Sequence, residues 1–216
     1  MNDQAAAPAR EVYFHQDNTA FTAELARRTA AEEAPFLLPH LHPGMRLLDV
    51  GCGPGAITLG LAAAVAPGET VGIDLQPGQV EQARARAAAA GVATVRFEVG
   101  SVYELPFPAA SFDAVYANSV LFHLREPRRA LTEMRRVLRP GGVVGIRDPD
   151  NATELLAPTT PLLDESYHLR LRVRQHQGGS PFYARQQRAL LLQAGFSRCI
   201  GSADAVYAGD PQVSQR

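Results

Sequence analysis

The stretch Leu47-Leu48-Asp49-Val50-Gly51-Cys52-Gly53-Pro54-Gly55 constrains the fold more than any other part of this chain. An apolar run ends in a carboxylate and passes into three alternating glycines. Ala56 to Ala62 then reads as the first turns of a helix. Strand, glycine bend and helix in that order bring a polar ligand against bare backbone, because glycine accepts positive φ and has no Cβ to hold a ligand off. The N–H groups of the bend and of the helix start are expected to receive the ligand's oxygens. A tight strand-to-helix turn in any α/β protein has a similar composition, so the bend alone does not decide the ligand.

Strands and helices alternate downstream. Thr70 to Asp74 reads as a second strand, and Gln76 to Ala90 as a helix with Pro77 in its first turn and Gly91 at its stop. Thr94 to Val99 and Phe112 to Ala117 read as the third and fourth strands. From Pro127 to Leu138 the residues Ala130, Leu131, Met134, Val137 and Leu138 share one helical stripe, with arginines on the other. Pro140-Gly141-Gly142 is expected to stop that helix ahead of a fifth strand, Val143 to Arg147. Strands separated by helices imply a parallel sheet with helices on both faces and right-handed crossovers.

Before the first strand, Thr19 to about Leu41 has a helical pattern broken at Pro35. After the fifth, a loop from Pro149 to Pro161 leads to an Arg-rich helix ending near Gln177. A helix from Ser180-Pro181 to Ala194 and a strand from Phe196 to about Tyr207 complete the expected elements. Residues 13–208 are expected to form one domain between tails at 1–12 and 209–216. Segments 13–45 and 149–180 are expected to close over its site.

At 216 residues the chain suits a single sizeable domain. A formal charge of −1 gives no field for nucleic acid or an anionic membrane. Every basic side chain other than histidine is arginine, so no lysine is present for a Schiff base. Two cysteines, Cys52 and Cys199, are too few for a disulfide framework or a closed zinc site, which suits a reducing cytoplasm. His40-x-His42 lacks a nearby third ligand, and no metal is expected. No apolar run approaches the ~20 residues of a membrane span.

The glycines read G-x-G-x-G, not the G-x-G-x-x-G of a dinucleotide loop, with Asp49 two residues ahead of the first. Together with Leu105-Pro106-Phe107-Pro108, Ser111-Phe112-Asp113-Ala114-Val115 and Arg136-Val137-Leu138-Arg139-Pro140-Gly141-Gly142, the chain resembles class I S-adenosylmethionine-dependent methyltransferases. It is most similar to the ubiquinone/menaquinone-biosynthesis type and its small-molecule relatives, over about residues 12 to 207. The resemblance implies a Rossmann-like, doubly wound, mostly parallel sheet and leaves open whether the family's last strand is present. It implies S-adenosylmethionine as cofactor, S-adenosylhomocysteine as product, and in-line methyl transfer to a small-molecule acceptor. It further implies cofactor contacts from Asp49, Gly51, Cys52, Gly53 and Gly55 in the bend, Asp74, Leu75 and Gln79 after the second strand, and Ser101 and Val102 after the third. Asn118 and Ser119 after the fourth strand, and Arg28 before the first, complete that set.

Asp74 stands at the carboxyl end of the second strand, ~20 residues past the glycines, where an acid takes both ribose hydroxyls; its other reading is a cap for the Gln76 helix. Ser101 replaces the acidic residue that the family places against the adenine amino group, and Asn118 stands where the family often has histidine. His123 is the candidate base, or else a histidine packed at a helix start. Arg28, near Arg27 and Thr29 and with Tyr13 upstream, either reaches the methionine carboxylate or a substrate anion, or lies on a solvated face. Arg147-Asp148-Pro149-Asp150 resembles an amino-methyltransferase motif but follows the wrong strand, so methylation of adenine or glutamine nitrogen is not expected. Leu169 to Arg174 alternates basic and apolar residues, as a solvated face or substrate lid does. The sixth strand is expected either to pair directly with the fifth or to leave an open edge, which invites a homodimer. Two other readings stand beside methyl transfer: a non-enzymatic S-adenosylmethionine-binding module, and an NAD(P)-dependent oxidoreductase, whose loop spacing and Tyr-x-x-x-Lys pair are missing.

Overall fold

A computed structural model, described for residues 19–205, pairs the five internal apolar runs into one all-parallel sheet. The strands are β1 (Leu47–Val50), β2 (Thr70–Asp74), β3 (Val95–Val99), β4 (Phe112–Asn118) and β5 (Leu138–Arg147), in the order β3-β2-β1-β4-β5. The chain therefore winds outward from β1 in one direction, then crosses back and winds the other way. Between β1 and β4 the order reverses, and a crevice opens there beyond the carboxyl ends of the strands. Register places Val50 beside both Ile73 and Ala117, so the bend after β1 emerges level with the ends of its two neighbours.

Alternation along β1 feeds both faces. Leu47 packs with Leu61 and Val65 of α3 (Ala56–Val65). Leu48 and Val50 face the opposite way and join Ala130, Leu131, Met134 and Val137 of α5 (Pro127–Val137). The predicted stripe of α5 is thus the buried one, and each such side chain contributes about 1.5–3 kcal/mol by leaving water. Helix α4 (Pro77–Ala89) lays Val80, Ala83 and Ala87 on Phe97 of β3.

Three segments differ from expectation. Strand β5 begins at Leu138, with no intervening turn. The residue before a proline disfavours the helical region, so Arg139-Pro140 ends α5. Leu138 then pairs with Phe112 at once, and the register jumps to Ala114 with Val143, leaving Pro140-Gly141-Gly142 as a bulge.

The N-terminal pattern is two short helices, α1 (Thr19–Leu25) and α2 (Ala30–Glu33), not one broken at Pro35. The break falls at Thr29, whose extended backbone lets its hydroxyl accept from the N–H of Glu32. Tyr13 lies outside the described residues.

The third difference is at the far end. A 3₁₀ turn, Ala184–Gln186, precedes α7 (Gln187–Gln193), and 196–205 form no strand. Ile200 is 89% exposed, so this stretch has no apolar face to bury on the sheet. Tyr207 lies outside the described residues. Among those residues β5 has no strand on its outer side. None of the described helices, α6 (Pro161–His176) included, is long and apolar enough to cross a membrane.

Candidate active site

A cavity of about 820 Å³ occupies the crevice at the strand-order reversal. Its floor is the bend Gly51–Pro54 with Asp49, one wall is Asp74 to Gln76 with Gln79, and another is Ser101 to Tyr103. The segment Asn118 to Glu126 closes the next side, and α6 with Pro149 and Asn151 the last. Twelve of the cofactor contacts implied by sequence border it: Arg28, Asp49, Gly51, Cys52, Gly53, Asp74, Leu75, Gln79, Ser101, Val102, Asn118 and Ser119. The candidate base His123 does so too.

Gly55 does not border the cavity. It sits at φ +78, and a Cβ there would lie 2.9 Å from both Ala83 Cβ and Phe97 Cζ. Its glycine is required for the bend to seat on α4 and β3.

The bend's amides are not free, contrary to expectation. Gly51 and Cys52 N–H donate to Ile73 O at 2.8 and 2.9 Å, Gly53 N–H to Asp74 Oδ2 at 2.9 Å, and Gly55 N–H to Cys52 O at 3.0 Å. The strand register explains most of this: the end of β2 stands beside the bend and supplies the acceptors of Gly51, Cys52 and Gly53. What the bend offers a ligand is its shape, with Asp49 and Asp74 at its ends.

Asp74 bonds the start of α4, as its capping reading expects, and also borders the cavity. Oδ1 accepts from Gln76 N–H at 2.9 Å at the start of α4, and Oδ2 pins the bend, while the same carboxylate borders the cavity. Burial raises its pKa, and the amides of Gln76 and Gly53 oppose the shift. Asp49 is buried deeper. Desolvation pushes its pKa up to about 7, against a 2.6 Å bond from Thr58 Oγ and with the Asp74 charge adding to the rise. Burial also pushes the Cys52 thiol up, helped by both carboxylates.

Gln79 is buried, gives its Nε2 to Thr22 Oγ at 3.3 Å, and has no partner for Oε1. Leu75 stays half exposed on the same wall. Ser101 Oγ accepts from Tyr103 N–H at 3.2 Å, leaving its hydroxyl proton to donate. An acidic pair near a bare bend, an orphaned amide oxygen and an exposed apolar side chain suit a nucleoside joined to a cationic centre. S-adenosylmethionine fits these residues.

Glu33 organises the side of the cavity that holds Asn118 and Arg28, and was not legible in the sequence. Its carboxylate receives Asn118 Nδ2 at 3.0 Å and the Arg147 guanidinium, with Arg28 Nε 3.7 Å away. Its backbone O accepts from Tyr116 OH at 2.9 Å. Arg28 is therefore ion-paired at the cavity edge, not on a solvated face. Ser119 takes φ +57 and gives its hydroxyl to Asn118 Oδ1 at 3.0 Å.

The carboxyl of Asp148 is buried, Oδ2 included. The amides of Val120, Leu121 and Phe122 bond its carboxyl, with Phe122 N–H at 3.3 Å, and fix the 3₁₀ turn Leu121–His123. Burial pushes its pKa up to about 8.

His123 does not have the geometry of a free base. Arg174 Nη1 lies 2.6 Å from its Nδ1, and a guanidinium can only donate. Nδ1 is thus an acceptor and the ring proton sits on Nε2. Asp150 is held by Arg185 at 2.8 and 3.0 Å and does not border the cavity.

The raised pKa values of Asp49 and Asp148 set a pH dependence. Folded, each holds a proton that the unfolded chain releases near pH 4. Their contribution is greatest below pH 4 and is lost as pH rises toward 7 and 8. The ligand-free chain is expected to melt roughly 5 °C or more lower at pH 8 than at pH 5. Asp148→Asn should flatten that slope in thermal melts across the range.

Fold and site together define a protein of the doubly wound class, with a cavity at the switch point that suits a nucleoside. Comparison with known proteins is then specific. A family described as "Methyltransferase domain" matches residues 48–146. An uncharacterized methyltransferase of Schizosaccharomyces pombe is 33% identical over 87% of this chain and 69% of its own length. A demethylmenaquinone methyltransferase of Symbiobacterium thermophilum is 40% identical over 48% of this chain and 42% of its own. The crystal structure of Bacillus subtilis YcgJ superposes with a TM-score of 0.59 at 31% identity, covering 76% of this chain and 68% of that one. The chain belongs to the class I S-adenosylmethionine-dependent methyltransferase family. It spans 46% to 69% of the length of three curated relatives that it matches. These likenesses favour methyl transfer over the NAD(P) reading and over a binding module.

Proposed function

We propose that this chain transfers a methyl group from S-adenosylmethionine to a small-molecule acceptor seated between Asn118–Arg125 and α6. The observation that carries this is one continuous cavity: the acidic bend lies at one end and the Phe122–α6 wall at the other. When bound, the sulfonium supplies an activated methyl; the S–CH₃ bond breaks with its pair left on sulfur, the acceptor's lone pair forms the new bond, and a neutral acceptor sheds a proton.

In this reading Asp74 takes the ribose hydroxyls, and Asp49 faces the cationic end. Leu75, Ser101 and Val102 surround the adenine, with Gln79 Oε1 accepting at the same wall. Arg28, Asn118 and Ser119 hold the methionine end. The segments 19–45 and 149–180 keep water from the methyl, which matters because water competes as nucleophile. His123 borders the acceptor end with Nδ1 committed to Arg174, so deprotonation does not rest on it. Two unpaired thiols suit a reducing, cytoplasmic setting, and the outer edge of β5 is the surface for a homodimer.

Calorimetric titration with S-adenosylhomocysteine and, separately, NADH tests the reading. Binding of the first at micromolar or better and no heat from the second is expected. The reverse would overturn it.

A further inference from the structure

We infer that Glu33 is a positioning residue: it fixes the Asn118 carboxamide with its oxygen toward the cavity, where that oxygen receives the α-ammonium of the cofactor's methionine end. The inference rests on the methyl-transfer reading and deepens it by naming the group that orients one of the ligand's contacts.

Glu33 is the last residue of α2 and Asn118 the last of β4. Tyr116 and Asn118 share a face of that strand. The Tyr116 hydroxyl donates to Glu33 O at 2.9 Å and so seats the end of α2 beside Asn118. The Glu33 carboxylate is ion-paired with the Arg147 guanidinium, which Asp204 holds from its other side at 2.9 Å. An ionised carboxylate can only accept. Only the nitrogen end of the Asn118 carboxamide can therefore face it, and Nδ2 donates to Glu33 Oε2 at 3.0 Å.

The oxygen end turns the other way. Oδ1 accepts from the Ser119 hydroxyl at 3.0 Å, and Ser119 is itself held at φ +57 with its N–H on Arg147 O at 2.8 Å. Asn118 and Ser119 border the cavity, whereas Glu33 and Arg147 do not. The nitrogen end thus points behind the wall and the oxygen end along it. A carbonyl oxygen has two lone pairs, and Ser119 takes one. The other suits a pure donor, which an ammonium is, and its charge strengthens the bond. Arg147 and Asn118 bond the same oxygen of Glu33 and are paired across β4 and β5. Without that carboxylate the amide is free to turn over. Oδ1 would then accept from Arg147, and Nδ2 would meet the ammonium donor to donor.

The test titrates the full chain by calorimetry with S-adenosylhomocysteine and with its deamino analogue, which has hydrogen in place of the α-ammonium. The parent is expected to bind the first at least about tenfold more tightly. Glu33→Ala should lower S-adenosylhomocysteine affinity by about tenfold and leave the analogue at its parent value. Glu33→Met, which fills the space without an acceptor, takes its place if the alanine variant does not fold. Glu33→Gln offers Asn118 a carbonyl oxygen and should restore part of the loss. Asn118→Ala should have the same selective effect, and adding Glu33→Ala to it should cost nothing more. A merely structural role for Glu33 would weaken both ligands alike. Equal parent affinities, equal losses of both ligands, no recovery in Glu33→Gln, or additive losses in the double variant would overturn the inference. S-adenosylhomocysteine is titrated first: if the parent chain does not bind it, the methyl-transfer reading itself fails, and this inference with it.

Discussion

Gly51→Ala is expected to abolish S-adenosylhomocysteine binding and to lower the melting temperature by roughly 5–15 °C. Two costs coincide at this position. Gly51 holds φ +73, which costs an L-residue about 1–2 kcal/mol. An added Cβ would also lie 2.3 Å from Val120 Cγ2, an overlap that forces movement at about 1–3 kcal/mol. Neither side can yield cheaply. Gly51 N–H is committed to Ile73 O, and the turn beginning at Val120 is bonded to the buried carboxyl of Asp148. Gly53→Ala is the control. Its φ is also positive, at +52, but the nearest atom to its Cβ is 3.9 Å away. It should lose only the backbone share. A Gly51→Ala chain with parent melting temperature and parent affinity would refute the crowding at Val120.

Asp74→Ala is expected to weaken S-adenosylhomocysteine binding by roughly 10- to 150-fold, the range of a lost charged hydrogen bond. Indirect loss adds to this, because alanine strands the N–H groups of Gly53 and Gln76 that the carboxylate now satisfies. The bend and the start of α4 would both loosen. Asp74→Asn keeps an acceptor for one amide and should fall between parent and alanine. Calorimetry on the three proteins orders them, and equal affinities would sink the assignment of Asp74 to the ribose.

The frame was legible because it is periodic. β2 runs from Thr70 to Asp74 as expected, and the α5 stripe is the buried face, since burial on a sheet dictates spacing. Asp74 was legible because its position relative to the bend is a matter of strand length. The bulge at Pro140–Gly142 was not, because Pro-Gly-Gly also spells a turn, and only pairing of Leu138 with Phe112 decides between them. Glu33 carried no signal at all: Ala30-Ala31-Glu32-Glu33 reads as a solvated helix, and its partners Asn118 and Arg147 lie 85 and 114 residues away. The bend's amides were misjudged for a similar reason, as the acceptors of Gly51, Cys52 and Gly53 come from a neighbouring strand. His123 borders the cavity, but its proton is fixed by Arg174 from a different element.

The internally bonded bend has a thermodynamic meaning for whatever docks there. Every donor from Gly51 to Gly55 already has its acceptor, so the groove is a finished mould and no part of a ligand's affinity is diverted into shaping it. Departure of a spent ligand leaves that mould intact. The moving part of each turnover is thereby confined to what covers the groove, where one carboxylate, Glu33, tethers the N-terminal helices to the sheet.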